Sequence, residues 1–158
     1  MTHIMITTLL LLSVNLSANF VDEGKKAYNE GNATIASQHY AKACKKKNME
    51  GCVRLGILYF TGDGVEAKHK KAKKLFIKAC KAMYPQGCYQ LGTIYKRGGN
   101  GIERNFKKAR FYYAHGCRLR FEKSCVQYNL IRGKREIVGS GNNDQNFSYT
   151  YTTEIYGG

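Results

Sequence analysis

The chain has 158 residues, enough for one domain, and its 26 Lys and Arg against 11 Asp and Glu set the formal charge at +15. The apolar run from Ile4 to Leu12 is well short of the ~20 residues that cross a bilayer, which favours a cleaved segment over an anchor, and the chain left after cleavage is expected not to be an integral membrane protein. Six cysteines in regular pairs point to an oxidising compartment.

Residues 1–18 are expected to be a secretory signal peptide. The segment MTHIMITTLLLLSVNLSAN places the apolar run before Ser17-Ala18, a small-residue cleavage site, although His3 stands where Lys or Arg is usual and Leu16 is bulky for its position. No cysteine follows the site, which argues against a lipid anchor. The expected location is periplasmic or secreted. Export also separates the protein from nucleic acid, which is therefore set aside as a partner.

Residues 19–132 read as an all-α solenoid of α/α hairpins. Cys44/Cys52, Cys80/Cys88 and Cys117/Cys125 share one spacing of eight, and the first members recur after 36 and 37 residues. A period in the thirties marks hairpins that bury their apolar faces only by stacking on neighbours. In chain order, helices are expected over Asp22–Glu30, Ala33–Lys46, Glu50–Tyr59, Lys68–Lys81, Gln86–Lys96, Asn105–Arg118 and Glu122–Ile131. Residues 133–158, rich in Gly, Asn, Ser and Thr and without helical period, read as a flexible tail.

Each copy carries a covalent staple. Residues eight apart in one helix are separated by about 12 Å, beyond the ~7 Å Cα limit of a disulfide, so a turn must fall between them. Asn48, Gly51 and Gly87 are the helix breakers there, and Pro85, the one proline, suits the first turn of the next helix. Closing so short a loop stabilises by about 2–3 kcal/mol on the chain-entropy account.

The repeat extends beyond cysteine. LGILYFTGDGV at 55–65 is matched by LGTIYKRGGNGI at 91–102, followed by Lys71-Ala72 or Lys108-Ala109, then Phe76 or Tyr113; Ala36, Tyr40 and Cys44 repeat the spacing earlier. Leu55, Leu58, Leu91 and Ile94 form the apolar stripe, and Gly56 and Gly92 are expected where neighbouring helices cross too closely for a side chain. Tyr59, Tyr95, Phe76 and Tyr113 are core fillers between hairpins, and Gly62, Gly64, Gly98 and Gly101 are expected at positive φ in the loops.

These residues, LG-x-x-Y with a glycine loop, Lys-Ala, an aromatic, Ala-Cys and then Gly-Cys, resemble the Sel-one-like repeat, in the disulfide-paired variety of the Helicobacter cysteine-rich proteins. The resemblance covers residues 22–132 and implies a right-handed, tetratricopeptide-like superhelix, a secreted or periplasmic location, and penicillin binding with weak β-lactam hydrolysis. Both ends depart from the pattern. The first loop, Gly31 to Ala36, is shorter than its successors, while Asn129 replaces the helix glycine and Arg132 the tyrosine, as capping units require.

Nothing in the residues supplies hydrolytic chemistry. Ser-x-x-Lys, Ser-Asp-Asn and Lys-Thr-Gly elements do not occur, so a catalytic nucleophile is unknown. His3, His39, His69 and His115 are scattered, the cysteine spacing does not match zinc sites, and neither metal nor cofactor is expected. His39 and His115 are assigned to helix faces without a catalytic role.

Charge recurs with the repeat. Lys68, Lys70, Lys71, Lys73, Lys74, Lys107, Lys108 and Arg110 are the candidate binding residues, with Lys45–Lys47, Arg118 and Arg120 extending the stripe. The cluster at Lys68–Lys74 opens a helix, where positive charge opposes the macrodipole. A solvated face that maintains solubility is the alternative reading of these residues. The functional expectation is an exported binding scaffold of the cell envelope, its partner a protein or an anionic envelope polymer. The resemblance adds penicillin binding with β-lactamase activity, on a β-lactam or peptidoglycan fragment, and a secreted factor acting on host cells is a third possibility.

Cys80→Ser is expected to lower the melting temperature more than Lys73→Ser, since one change removes a cross-link and the other a surface charge. Equal melting temperatures for the two would contradict the pairing.

Overall fold

The computed structural model describes residues 19–136. The expected signal peptide, His3 and nearly all of the expected tail lie outside the described residues. Among those described there are seven helices and no strand beyond an isolated bridge between Gly99 and Ile102. They are α1 (19–29), α2 (Ala33–Lys45), α3 (Met49–Thr61), α4 (His69–Lys81), α5 (Pro85–Arg97), α6 (Phe106–Arg118) and α7 (Glu122–Glu136). Helix α7 runs four residues into the segment read as tail. Each helix from α2 to α7 packs on its neighbours in sequence, which is the solenoid the repeat predicted.

All three bridges form as paired: Cys44–Cys52, Cys80–Cys88 and Cys117–Cys125, with Cα atoms 4.5, 4.7 and 4.5 Å apart. Each spans a three-residue turn, 46–48, 82–84 or 119–121. The turns share one geometry. Asn48, Tyr84 and Phe121 donate their backbone N–H to the carbonyls of Ala43, Ala79 and Gly116, and Lys47, Met83 and Arg120 donate to the cysteine carbonyls. This double closure is the Schellman arrangement, and it places Lys47, Met83 and Arg120 at φ of 63, 59 and 62°. Asn48 begins α3 by accepting from Gly51 N, and Pro85 opens α5 as expected.

Gly51 and Gly87 do not break helices; they lie inside α3 and α5. Their lack of a side chain permits the close approach that the bridge demands. A Cβ on Gly51 would stand 2.5 Å from Ala43 Cβ, and one on Gly87 2.7 Å from both Ala79 Cβ and Cys80 N. The third staple reverses the pair. Gly116 stands where Ala43 and Ala79 are, and Ser124 where Gly51 and Gly87 are, and a Cβ on Gly116 would collide with Ser124 Oγ.

A second glycine contact joins one hairpin to the next. A Cβ at Gly56 would meet Phe76 Cε1 at 2.5 Å and one at Gly92 would meet Tyr113 Cδ1 at 2.6 Å. The obstacle is thus an aromatic ring lying on the glycine, rather than a crossing helix backbone. Gly24 under the ring of Tyr40 repeats the arrangement in α1. Tyr40, Phe76 and Tyr113 are buried, as are Leu55, Leu58, Leu91 and Ile94. Tyr95 stacks on Tyr112 with centroids 5.6 Å apart, and the buried residues fall into two clusters, one around Tyr40, Leu55 and Leu58 and a larger one around Phe76, Leu91, Ile94, Tyr95, Tyr112 and Tyr113.

The longer connections are glycine loops. Gly62, Gly64, Gly98 and Gly101 take φ of 78, 67, 67 and 73°, as anticipated. Both loops end alike, with Lys68 N donating to Tyr59 O and Asn105 N to Tyr95 O, each at 2.8 Å. The repeat tyrosine therefore fixes the start of the following helix.

Gly116→Ala is expected to cost about 1–3 kcal/mol of stability through overpacking, and the double change Gly116→Ala, Ser124→Gly to recover most of it, since it restores the arrangement of the other two staples. Thermal melts of the single and double variants read this directly.

Candidate functional site

The glycine loop of residues 62–68 delivers the chain to α4 with a lysine at each of several successive positions. Lys68, the residue before the helix, makes no side-chain cap, and the first turn of α4 holds no acidic residue. Helix α6 also lacks an acid in its first turn, but Asn105 caps it by accepting from Lys108 N at 2.8 Å. The positive end of the α4 dipole is consequently left beside Lys70, Lys71, Lys73 and Lys74.

An open basin of about 490 Å³ lies there, lined by Lys68, His69, Lys70, Lys71, Lys74 and Asn100. Four of the eight predicted binding residues meet in it. Lys73, Lys107, Lys108 and Arg110 fall outside its lining, and Lys73 and Arg110 are half-buried. Asn100, from the loop between α5 and α6, and His69, whose ring sits edge-on to Phe60 at 5.2 Å, were not anticipated. Periodicity gave no signal for Asn100, because it reaches the basin from the neighbouring repeat.

Two lysines are ordered by the repeat tyrosines. Lys71 Nζ donates to Tyr59 Oη at 2.8 Å and lies 4.3 Å from the ring centroid, and Lys108 Nζ lies 5.4 Å from the Tyr95 ring. Lys68 pairs with Glu66 at 2.8 Å, an exposed contact that contributes little net stability. Residues 68–120 contain fifteen Lys and Arg and a single carboxylate, Glu103. Of the other ten carboxylates, six precede residue 68 and four follow residue 120. Among the six, Glu50 lies 2.9 Å from both Lys25 and Arg54; burial alone would raise its pKa, but the two cations hold it below the usual value.

His39 and His69 are surface-side residues, the former 2.8 Å from Glu23 Oε2. His115 is not on an open face. It is 4% exposed, its Nδ1 lies 3.7 Å from Cys80 Sγ, and its Nε2 is buried without a hydrogen-bond partner. Burial, then the nearby Arg118, pushes its pKa below the ordinary value. The equivalent place on the preceding hairpin belongs to Lys78, whose Nζ donates to Cys44 O at 3.2 Å and approaches Cys44 Sγ at 3.8 Å. Among the described residues the serines are Ser37, which donates to Thr34 O, and Ser124, buried with its hydroxyl unpartnered. Neither is paired with a base.

The family comparison decides what the stack is. The Sel1 repeat family model matches residues 50–82 and 85–119, the spans of α3–α4 and α5–α6. The chain carries Sel1 repeats over these residues. With the Sel1 units so framed, Cys80–Cys88 joins the two matched units, and Cys44–Cys52 and Cys117–Cys125 tie that matched stretch to α2 and α7, so no bridge links the two helices of one unit. HcpC of Helicobacter pylori J99, named as a candidate beta-lactamase, is 46% identical over 48 residues, covering 30% of this chain and 17% of HcpC. The Sel1 repeat protein of Oxalobacter formigenes shares the fold at a TM-score of 0.67 and 23% identity, over 80% of this chain and 53% of that one. Helicobacter pylori cysteine rich protein B superimposes at 0.52 and 27% identity, over 65% of this chain and 92% of that protein. This chain thus aligns with about a sixth of the length of HcpC. No helix among the described residues is long and apolar enough to cross a membrane.

The depressed His115 pKa gives a sign to the pH dependence of stability. Between the folded value and the unfolded value near 6.5, the unfolded chain binds a proton that the buried ring refuses. The stability is therefore fully present above about pH 6.5 and is lost as pH falls toward the lowered folded value. Melting temperatures at about pH 7.5 and pH 5 are expected to differ more for the natural chain than for His115→Gln; equal differences would show that the ring titrates as if exposed.

Proposed function

We propose that this chain is an exported binding scaffold of the cell envelope whose basic face takes a partner with closely spaced anionic groups. The observation that carries this reading is the basin at the start of α4, where Lys68, Lys70, Lys71 and Lys74 converge while the chain from 68 to 120 holds one carboxylate. Ammonium groups repel one another wherever they approach within the Debye length, about 8 Å at physiological salt, and four lysines line this one basin. They also oppose the α4 dipole. A bound anion relieves both, and a flexible chain of anions, such as an acidic protein segment or an acidic envelope polymer, engages several lysines at once.

Three disulfides favour an oxidising destination, and similarity to HcpC is consistent with it. The hydrolytic alternative rests on that relative's name, and the described serines lack the base that acyl transfer needs. A β-lactam or peptidoglycan fragment would enter the same basin through its carboxylate.

With the oxidised protein, labelled polyglutamate and polyphosphate are expected to bind with affinities that fall steeply with salt, and Lys70→Glu, Lys74→Glu to weaken both about tenfold. The same charge change at exposed Lys26 and Lys123 is expected to act less than twofold. Equal weakening by the two variants would reduce the basic face to a general charge effect and remove the site. Turnover of a chromogenic cephalosporin is expected not to exceed that in buffer.

A further inference from the structure

We propose that Cys80, Cys88 and His115 form a site for a thiophilic divalent cation of the zinc class when their disulfide is reduced, so that metal and disulfide are alternative occupants of one place. The two sulfurs and an imidazole nitrogen lie within 4.8 Å of one another, and all three residues are buried. They come from three helices, α4, α5 and α6, and are held by the core rather than by a loop.

The dimensions suit a tetrahedral ion. With Zn–S of about 2.3 Å and Zn–N of about 2.0–2.1 Å, the N···S edge of the tetrahedron is about 3.6 Å and the S···S edge about 3.8 Å. His115 Nδ1 already stands 3.7 Å from Cys80 Sγ. Opening the sulfur–sulfur bond frees both side chains to rotate to the second edge, while the turn 82–84 and the Gly87 contact keep the backbone in place.

The first staple shows why the site belongs to the second. There the residue two before the next hairpin's cysteine is Lys78, whose ammonium donates to Cys44 O and has no lone pair to offer a metal. At the second staple the same place holds an imidazole. A dithiol supplies two electrons and two protons to open Cys80–Cys88 and is itself oxidised to a disulfide. The cation then displaces the two thiol protons, and the neutral ring binds through its nitrogen lone pair. Before oxidation such an ion clamps the same three helices that the disulfide later holds.

The test is cobalt titration of the full chain, reduced anaerobically with a phosphine. One equivalent is expected to bind with tetrahedral, thiolate-ligated absorption, and His115→Lys to bind at least tenfold more weakly. That variant copies Lys78 of the preceding hairpin, and a melt of its oxidised form verifies its fold. Equal cobalt affinity in His115→Lys would overturn the proposal. So would undiminished binding by Cys80→Ser, Cys88→Ser with the other staples oxidised, or a reduced natural chain that stays unfolded with cobalt present.

Discussion

Everything in the fold follows from one enforced contact: the end of one helix and the start of the next brought to Cα separations of 4.5–4.7 Å by a disulfide across a three-residue turn. Two helices cannot come so near unless one of the facing residues lacks a side chain. That is why Gly51 and Gly87 precede their cysteines, and why Gly116 takes over the role where Ser124 has displaced the glycine. The bridge, the glycine and the left-handed residue at Lys47, Met83 or Arg120 form one unit.

The staples lie at the edges of the matched repeats, so the junction of the two Sel1 units is covalent through Cys80–Cys88, and the other two bridges tie that pair to the flanking helices. The stack is otherwise joined by rings on glycines, Tyr40 on Gly24, Phe76 on Gly56 and Tyr113 on Gly92. A short array of repeats has little core per unit, and cross-links at each junction offset that deficit. The run of lysines at the start of α4 opposes the helix dipole, while the helix is held by Phe76, Ala79 and Cys80 in the core.

The staples are not chemically equivalent, because each receives a different residue from the hairpin stacked upon it. Lys78 reaches Cys44 and remains exposed, whereas His115 reaches Cys80 and is enclosed. An ammonium caps a carbonyl and an imidazole faces a sulfur, so one repeat position yields a structural contact in one copy and a metal-ligand set in the next.

The sequence by itself determined the period, the cysteine pairing, the helix order and most of the core. All of these are local, since a bridge between residues eight apart and an apolar stripe are set by spacing within forty or so residues. It also located the lysines, but not which of them meet. Lys73 and Lys107 look equivalent to Lys70 and Lys71 along the chain, yet Lys73 turns to another face of α4 and Lys107 opens a different helix, so neither lines the basin. Tertiary structure alone moved Gly51 and Gly87 from turns into helices, brought Asn100 to Lys70, and enclosed His115 against Cys80. Each of these depends on the side chain a neighbouring repeat places opposite, information that periodicity averages away.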